Sequence, residues 1–235
     1  MCGRFTLRAD LPAIARRFAA RIPDTLAWQP RFNIAPTQPV IAVRLDGDGR
    51  RTLTTLRWGL IPHWAKERSF GNRLINARAE TVATRPAFRT PFRRTRCLVP
   101  ADGYYEWQAR GKGPKQPFWI RLADQPIFAM AGLWDRWRDE RGHVVESVAV
   151  ITTAANEATR SIHDRMPAIL APSLEPVWLG ETGATREELL ACLTPYPDAS
   201  MVIQPVSTYV NRPQHEGPRC LAPPDDPTPP PDGAS

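Results

Sequence analysis

Leu11, Ile14, Ala15, Phe18, Ala19 and Ile22 recur at helical spacing and leave Arg16, Arg17 and Arg21 on the other side. Steps of three and four residues put such side chains on one face of an α-helix. Asp10 stands at the N-cap position, Pro12 in the first turn and Pro23 beyond the end, so the pattern predicts a helix over 11–21. The period then drops towards two. Residues 40–45 and 52–58 read as strands joined by the Asp46-Gly47-Asp48-Gly49 turn. Further strands are expected at 96–100, 104–108, 117–122, 127–134, 144–152 and 201–206, with turns at 110–116 and 139–142. Phe88 and Phe92, four apart, predict a short helix that turns Arg85, Arg89, Arg93 and Arg94 towards solvent or phosphate. Thr152-Thr153 is expected to cap a short helix over 154–158, and 173–179 and 185–193 are expected helices. Many short strands with a few short helices, and no internal repeat, point to an α+β domain.

Composition narrows the class. The chain has 235 residues, 42% hydrophobic and 23% charged, which suits one domain with a real core. No apolar run approaches the roughly 18 residues a membrane span needs, and no signal peptide is evident, so a cytoplasmic protein without a membrane partner is expected. Cys2, Cys97, Cys192 and Cys220 lie far apart, with no Cys-x-x-Cys pair, and predict neither a disulfide framework nor a metal site. The net charge of +7 suits a polyanion. It is carried almost wholly by arginine, which a GC-rich genome would also favour, so it shifts the balance only modestly. From residue 222 the chain is dominated by proline, aspartate and glycine, and 222–235 is expected to be a disordered tail.

Several side chains stand out chemically. Met1 precedes the small Cys2, and removal of Met1 would give a 1,2-aminothiol, which condenses with an aldehyde to a five-membered thiazolidine. Glu106 is a lone carboxylate among Tyr104, Tyr105 and Trp107 on a predicted strand. If it points inward, burial raises its pKa and makes it an acid/base candidate. Asn76 and Arg78 alternate with alanines and share one face of an extended segment. Trp58 reads as core and Trp64, beside His63 and Lys66, as a surface ring on which a base could stack. Asn33 by itself reads only as a turn residue. His163 lies near a helix-to-strand junction, because Met166 must be extended before Pro167.

These pieces also fall into an ordered set of motifs: MCGRF at 1–5, RFNIAPT at 31–37, WGLIPHW at 58–64, INARAET at 75–81, ADGYYEW at 101–107 and IHDRMPAIL at 162–170, with VSTYVN at 206–211 as a looser match. In that order they resemble the SOS-response-associated peptidase (SRAP) family, whose members shield abasic sites in single-stranded DNA. The resemblance covers residues 2 to about 211. It implies a compact α+β domain, 2–221, around a curved, barrel-like mixed sheet with short flanking helices. It implies that Cys2 is the crosslinking nucleophile, that Asn76 holds its terminus, that Glu106 is the acid/base and that His163 assists proton transfer. Arg4, Arg78 and Arg165 would contact phosphates; Asn33, Pro36 and Trp64 would shape the strand's path. The expected partner is single-stranded DNA containing abasic sites, bound by a monomer without cofactor or metal, cytoplasmic and on the nucleoid when bound. Two other readings are a cysteine-type peptidase acting on other proteins, which would turn over a peptide in trans, and a non-covalent single-strand-binding module, which would leave no covalent product.

Overall fold

The structure is a computed structural model and describes residues 2–111 and 113–224. β1 (Phe5–Leu7) leads into α1 (Leu11–Phe18), which buries Ile14 and Phe18 and is capped by Asp10, whose carboxylate accepts from the Ala13 N–H at 2.8 Å. The helix stops short of the expected residue 21. Ala19 takes the left-handed conformation, and the Arg21 N–H and C=O are drawn away to the backbone of Arg51 and Leu53. β2 (Arg31–Ile34), β3 (Pro39–Leu45), β4 (Arg51–Trp58), β5 (Asn76–Arg78), α2 (Arg89–Arg94), β6 (Arg96–Ala101), β7 (Gly103–Gln108), β8 (Gln116–Leu122), β9 (Phe128–Arg138) and β10 (Val144–Ala154) follow. The chain continues through α3 (Glu157–Arg160), β11 (Arg165–Pro167), β12 (Ile169–Leu170), α4 (Glu175–Leu179), α5 (Arg186–Ala191) and β13 (Met201–Pro205).

Five strands close on themselves. β3 pairs with β4, β4 with β10, β10 with β9, β9 with β6, and β6 with β3. A ring of five cannot close with antiparallel pairs alone, and the parallel seam falls between β4 and β10, where Ser147 faces Arg57. β5 pairs parallel with β10 further along, with Val150 opposite Asn76. This is the expected single α+β domain around a barrel-like mixed sheet. The second sheet runs β13-β8-β7-β1-β2, every pair antiparallel. β9 and β10 are buried over Phe128–Leu133 and Ser147–Thr153, which explains their nearly unbroken apolar runs.

Gly103 sets how the second sheet packs. Any Cβ there would lie 2.1 Å from Trp119 Nε1, which donates to the Thr6 hydroxyl at 3.1 Å across the sheet. Two further expectations change. Thr152 and Thr153 do not cap a helix, because they pair with Pro167 and Met166 on β11; β10 runs on to Ala154, and Asn156 caps α3 by accepting from the Thr159 N–H at 3.1 Å. Ala222 is tied in, its carbonyl accepting from the Ser207 N–H at 2.8 Å, so the packed chain outlasts the expected boundary at 221. The remainder of the expected tail, 225–235, lies outside the described residues. Among those described, no helix is long and apolar enough to cross a membrane.

Candidate active site and nucleic-acid interface

β1 pairs with β7 so that Phe5 faces Tyr104, and the Tyr105 N–H donates to the Arg4 carbonyl at 2.9 Å. Antiparallel pairing therefore carries residues 2–4 along β7 towards Glu106. Cys2 is fully buried, and Asn76 Nδ2 donates to its carbonyl at 2.8 Å. The other amide atom, Asn76 Oδ1, is buried with no hydrogen-bond partner among the described residues. Alternation along β7 puts Tyr104 and Glu106 on one face and Tyr105 and Trp107 on the other. On that second face Tyr105 packs with Trp119, Val206, Val210 and Cys220.

Glu106 is 3% exposed, as expected of an inward carboxylate. Burial pushes its pKa up to about 7, against the chain's amino-terminal charge, which favours the carboxylate. Burial, and then the negative charge of Glu106, push the Cys2 thiol well above the ordinary thiol range; a hydrogen bond from the Arg4 backbone N–H acts the other way. The thiol is therefore neutral near pH 7, and any reaction at sulfur has to dispose of its proton. Tyr104, also buried, is raised by burial and by the charges of Cys2 and Glu106, which fixes it as a neutral phenol beside both.

His163 is brought to this group by the connection between α3 and β11. Gln108, at the end of β7, donates to the Ser161 carbonyl at 3.0 Å and holds that connection against the strand carrying Glu106. The His163 Nδ1 accepts from the Arg165 N–H at 3.0 Å and lies 2.8 Å from an Asp164 carboxylate oxygen. Burial lowers its pKa, the amino-terminal charge adds to that, and Asp164 only partly opposes them.

The residues expected along the DNA path divide. Asn33 is not at the surface. It is fully buried, its Nδ2 donates to the carbonyls of Val210 (3.2 Å), Arg212 (3.0 Å) and His215 (2.8 Å), and its Oδ1 accepts from Arg4 Nη1 at 2.7 Å. A side chain enclosed in this way clamps the C-terminal segment and has no edge left for a nucleotide. Arg4 is 9% exposed, donates also to Val210 O at 3.0 Å, lies over the Trp107 ring and makes no salt bridge among the described residues. Its Nε is buried without a hydrogen-bond partner among the described residues. Arg165 is taken up by Glu80, with two hydrogen bonds of 2.6 and 3.0 Å, and by the Thr152 carbonyl. Pro36 is half-buried; after it Thr37 adopts φ +72°, a costly conformation for a β-branched residue, with its N–H donating to Trp58 O at 2.8 Å.

Arg78 and Trp64 face outwards. Arg78 is exposed and lines a cleft of about 480 Å³ with Arg73, Asn76, Thr81 and Arg85. Trp64 is 49% exposed and packs edge-on against Phe70, with centroids 5.4 Å apart. Trp58 is core, as expected. Sequence reasoning passed over Gln108, Tyr104 and Asn211, whose Oδ1 accepts from Trp107 Nε1 at 2.7 Å. The loose VSTYVN match was the only pointer to Asn211.

Comparison with known proteins gives the family and the fold. The family model described as SOS response associated peptidase (SRAP) matches residues 1–213. The abasic site processing protein YoaM of Bacillus subtilis is 40% identical over 222 residues, covering 94% of this chain and 97% of its own. The abasic site processing protein HMCES of Gallus gallus is 30% identical, covering 95% and 78%. A crystal structure of a protein from Bacteroides thetaiotaomicron superposes with a TM-score of 0.85 at 28% identity, over 94% of this chain and 99% of that one. The chain belongs to the SOS response associated peptidase (SRAP) family.

Proposed function

We propose that this protein processes abasic sites in DNA by forming a thiazolidine between Cys2 and the ring-opened sugar of an abasic nucleotide in a single strand. The observation that carries the reading is the buried Cys2, with its carbonyl held by Asn76 and its thiol under the charge of a carboxyl whose pKa is about 7. The names of the relatives support the substrate class.

Once Met1 is removed, the α-amine belongs to Cys2. It attacks the C1′ aldehyde, the carbinolamine loses water, and an imine results. The thiol then adds to the imine carbon, its proton passes to the nitrogen, and the ring closes; aldehyde plus aminothiol gives thiazolidine plus water. Glu106, ionised in a useful fraction near its pKa, takes the thiol proton and returns it, and His163 serves the sugar oxygen as the ring opens. Asn76 Oδ1 accepts from the freed amine and orients it. Arg78 holds a phosphate that flanks the lesion, Trp64 stacks beyond it, and the enclosed Arg4 fixes the segment that carries Cys2.

Intact-mass measurement before and after incubation with single-stranded DNA carrying one abasic site tests the reading. The expected result is a mature chain lacking Met1 and a heat-stable adduct of protein plus DNA minus one water. Cys2→Ala should abolish that adduct. An equally stable adduct in equal yield from Cys2→Ala, or a mature protein that keeps Met1, overturns the assignment.

A further inference from the structure

Three open clefts take lining residues from the stretch 64–93 that carries Asn76. The first, about 360 Å³, is lined by Trp64, Lys66, Phe70 and Arg73. The second, about 480 Å³, shares Arg73 and adds Asn76, Arg78 and Arg85. The third, about 430 Å³, starts at Ala83 and continues past Phe92 to Arg93, Arg186 and Leu189. Thr81 and Arg85 of the second cleft belong to the same tight turn as Ala83, in which the Thr84 and Arg85 N–H groups donate to the Thr81 carbonyl. The second and third clefts therefore both take lining residues from that turn. Only the second touches the candidate centre, and nothing in the reaction uses the third.

The charge along this stretch is unbalanced. Residues 66–94 hold eight basic side chains and two acidic ones, Glu67 and Glu80, and Glu80 is already taken by Arg165. None of the arginines from 68 to 94 makes a salt bridge among the described residues, whereas Arg17, Arg44, Arg51 and Arg136 each meet a carboxylate. Across the third cleft Arg186 is exposed beside the exposed Glu187, while Glu188 is held in the capping box of α5 with Thr185. A cleft with an apolar floor of Phe92 and Leu189 between two exposed guanidiniums has the chemistry of a phosphodiester site. The guanidiniums take phosphate oxygens, and the floor takes the sugar edge.

We propose that the third cleft binds the strand that flanks the abasic nucleotide on one side, with Arg93 and Arg186 each neutralising a phosphate. The path would then run from Trp64 past Asn76 to Arg186. This rests on the single-strand reading above. It predicts a footprint that extends well past the reacting nucleotide, further on one side than the residues around Asn76 could reach.

The test uses the full chain and single strands carrying one abasic site, trimmed stepwise from either end, with binding followed by fluorescence anisotropy across a salt series. Wild type should lose affinity when one particular flank is shortened. The Arg93→Ala/Arg186→Ala variant should bind the long strand about tenfold more weakly, with a salt slope shallower by about 1.4, two phosphates at about 0.7 each. On the strand trimmed at that flank it should match wild type, and its adduct rate at saturating DNA should be unchanged. Arg16→Ala/Arg138→Ala removes the same charge from exposed positions that line none of the three clefts and should behave as wild type. No loss on the long strand, or the same loss on trimmed and untrimmed strands, overturns the third cleft. Wild type indifferent to trimming at either end overturns it while leaving the crosslinking reading in place; wild type that binds no single strand overturns both.

Discussion

The candidate centre lies between two regions that use the same residue types in opposite ways. On the C-terminal side, Asn33 and Arg4 gather the carbonyls of residues 210–215 and leave almost no surface. On the open side, Arg73, Arg78 and Arg85 line a cleft and none makes a salt bridge among the described residues. Arg4 lies two residues from Cys2, and Arg78 lies two residues from Asn76. Burial lowers the pKa of Arg4, because the desolvated cation has only an amide, a carbonyl and an aromatic face for compensation. Arg78 keeps its water until a ligand displaces it. A cation of the first kind holds a fixed geometry around a reacting group; one of the second kind contributes affinity in proportion to the phosphates it meets. The closed side should therefore govern reaction rate and stability, and the open side binding and its salt dependence.

The largest effect is expected at Glu106, on the closed side. Glu106→Gln keeps the size and cannot carry a proton, so adduct formation should slow roughly 10²-fold or more while DNA affinity stays within about threefold. If the ionised form takes the thiol proton, the wild-type rate rises with pH through about 7 and then levels, and that inflection vanishes in the variant. Stability should move the other way. The carboxyl pKa is raised from 4.5 to about 7 in the fold, so the folded state binds the proton more tightly. That advantage is complete below pH 4.5 and is lost as pH climbs through 7. At pH 8 the variant should be the more stable protein, by up to about 3 kcal/mol at 1.36 kcal/mol per pKa unit. Identical single-turnover rates and pH profiles for both proteins would make Glu106 a packing residue.

An intermediate effect is expected at Asn33. An amide with two hydrogens serves three carbonyls here, so one hydrogen is shared; Asn33→Ala removes the donor at His215 O and one of the bonds at Val210 O, Arg212 O and Arg4. Unsatisfied buried groups cost about 1–3 kcal/mol, and for a domain of this size the melting temperature should fall by roughly 5–10 °C. The adduct rate should drop about tenfold through misplaced Cys2, with intact single strands bound as before. Loss of DNA affinity at an unchanged melting temperature would return Asn33 to the interface and erase the contrast between the two sides.

What could be read without the structure follows how local each contact is. The fold class, the first turns of α1 and the strands either side of the Asp46–Gly49 turn rest on periodicity over a few residues, and they stand; the same pattern leaves the direction of Glu106 open, and only the fold turns it inward. The Asn33 clamp joins residues 177, 179 and 182 positions apart, and the Arg165–Glu80 pair spans 85; no local pattern marks either as inward. The same limit hid Gln108, whose role depends on Ser161, 53 residues on. Thr152-Thr153 misled for a related reason: a threonine pair before a polar helix reads as a cap unless the partner strand, Arg165–Pro167, is known to be waiting for it.

The smallest effect, and the one that speaks most directly to the open side, is expected at Arg78. Its side chain is exposed and its backbone pairs with Thr152 of β10, so Arg78→Ala should leave the fold and its melting temperature unchanged. One phosphate contact on a single strand changes the logarithmic salt slope by about 0.7, so the variant should show that much less dependence and bind a few-fold more weakly near physiological salt. Because phosphates carry no base information, the loss should be the same for abasic and intact strands and for any flanking sequence. At saturating DNA the adduct should form at the wild-type rate, since occupancy is restored and the closed side is untouched. Anisotropy titrations at four or five salt concentrations, paired with single-turnover adduct assays, separate these readouts. A variant with unaltered affinity and salt slope would make Arg78 one more solvated cation. One that crosslinks slowly at saturation would place it with Arg4 on the closed side, and the division between rate and affinity would have to be drawn elsewhere.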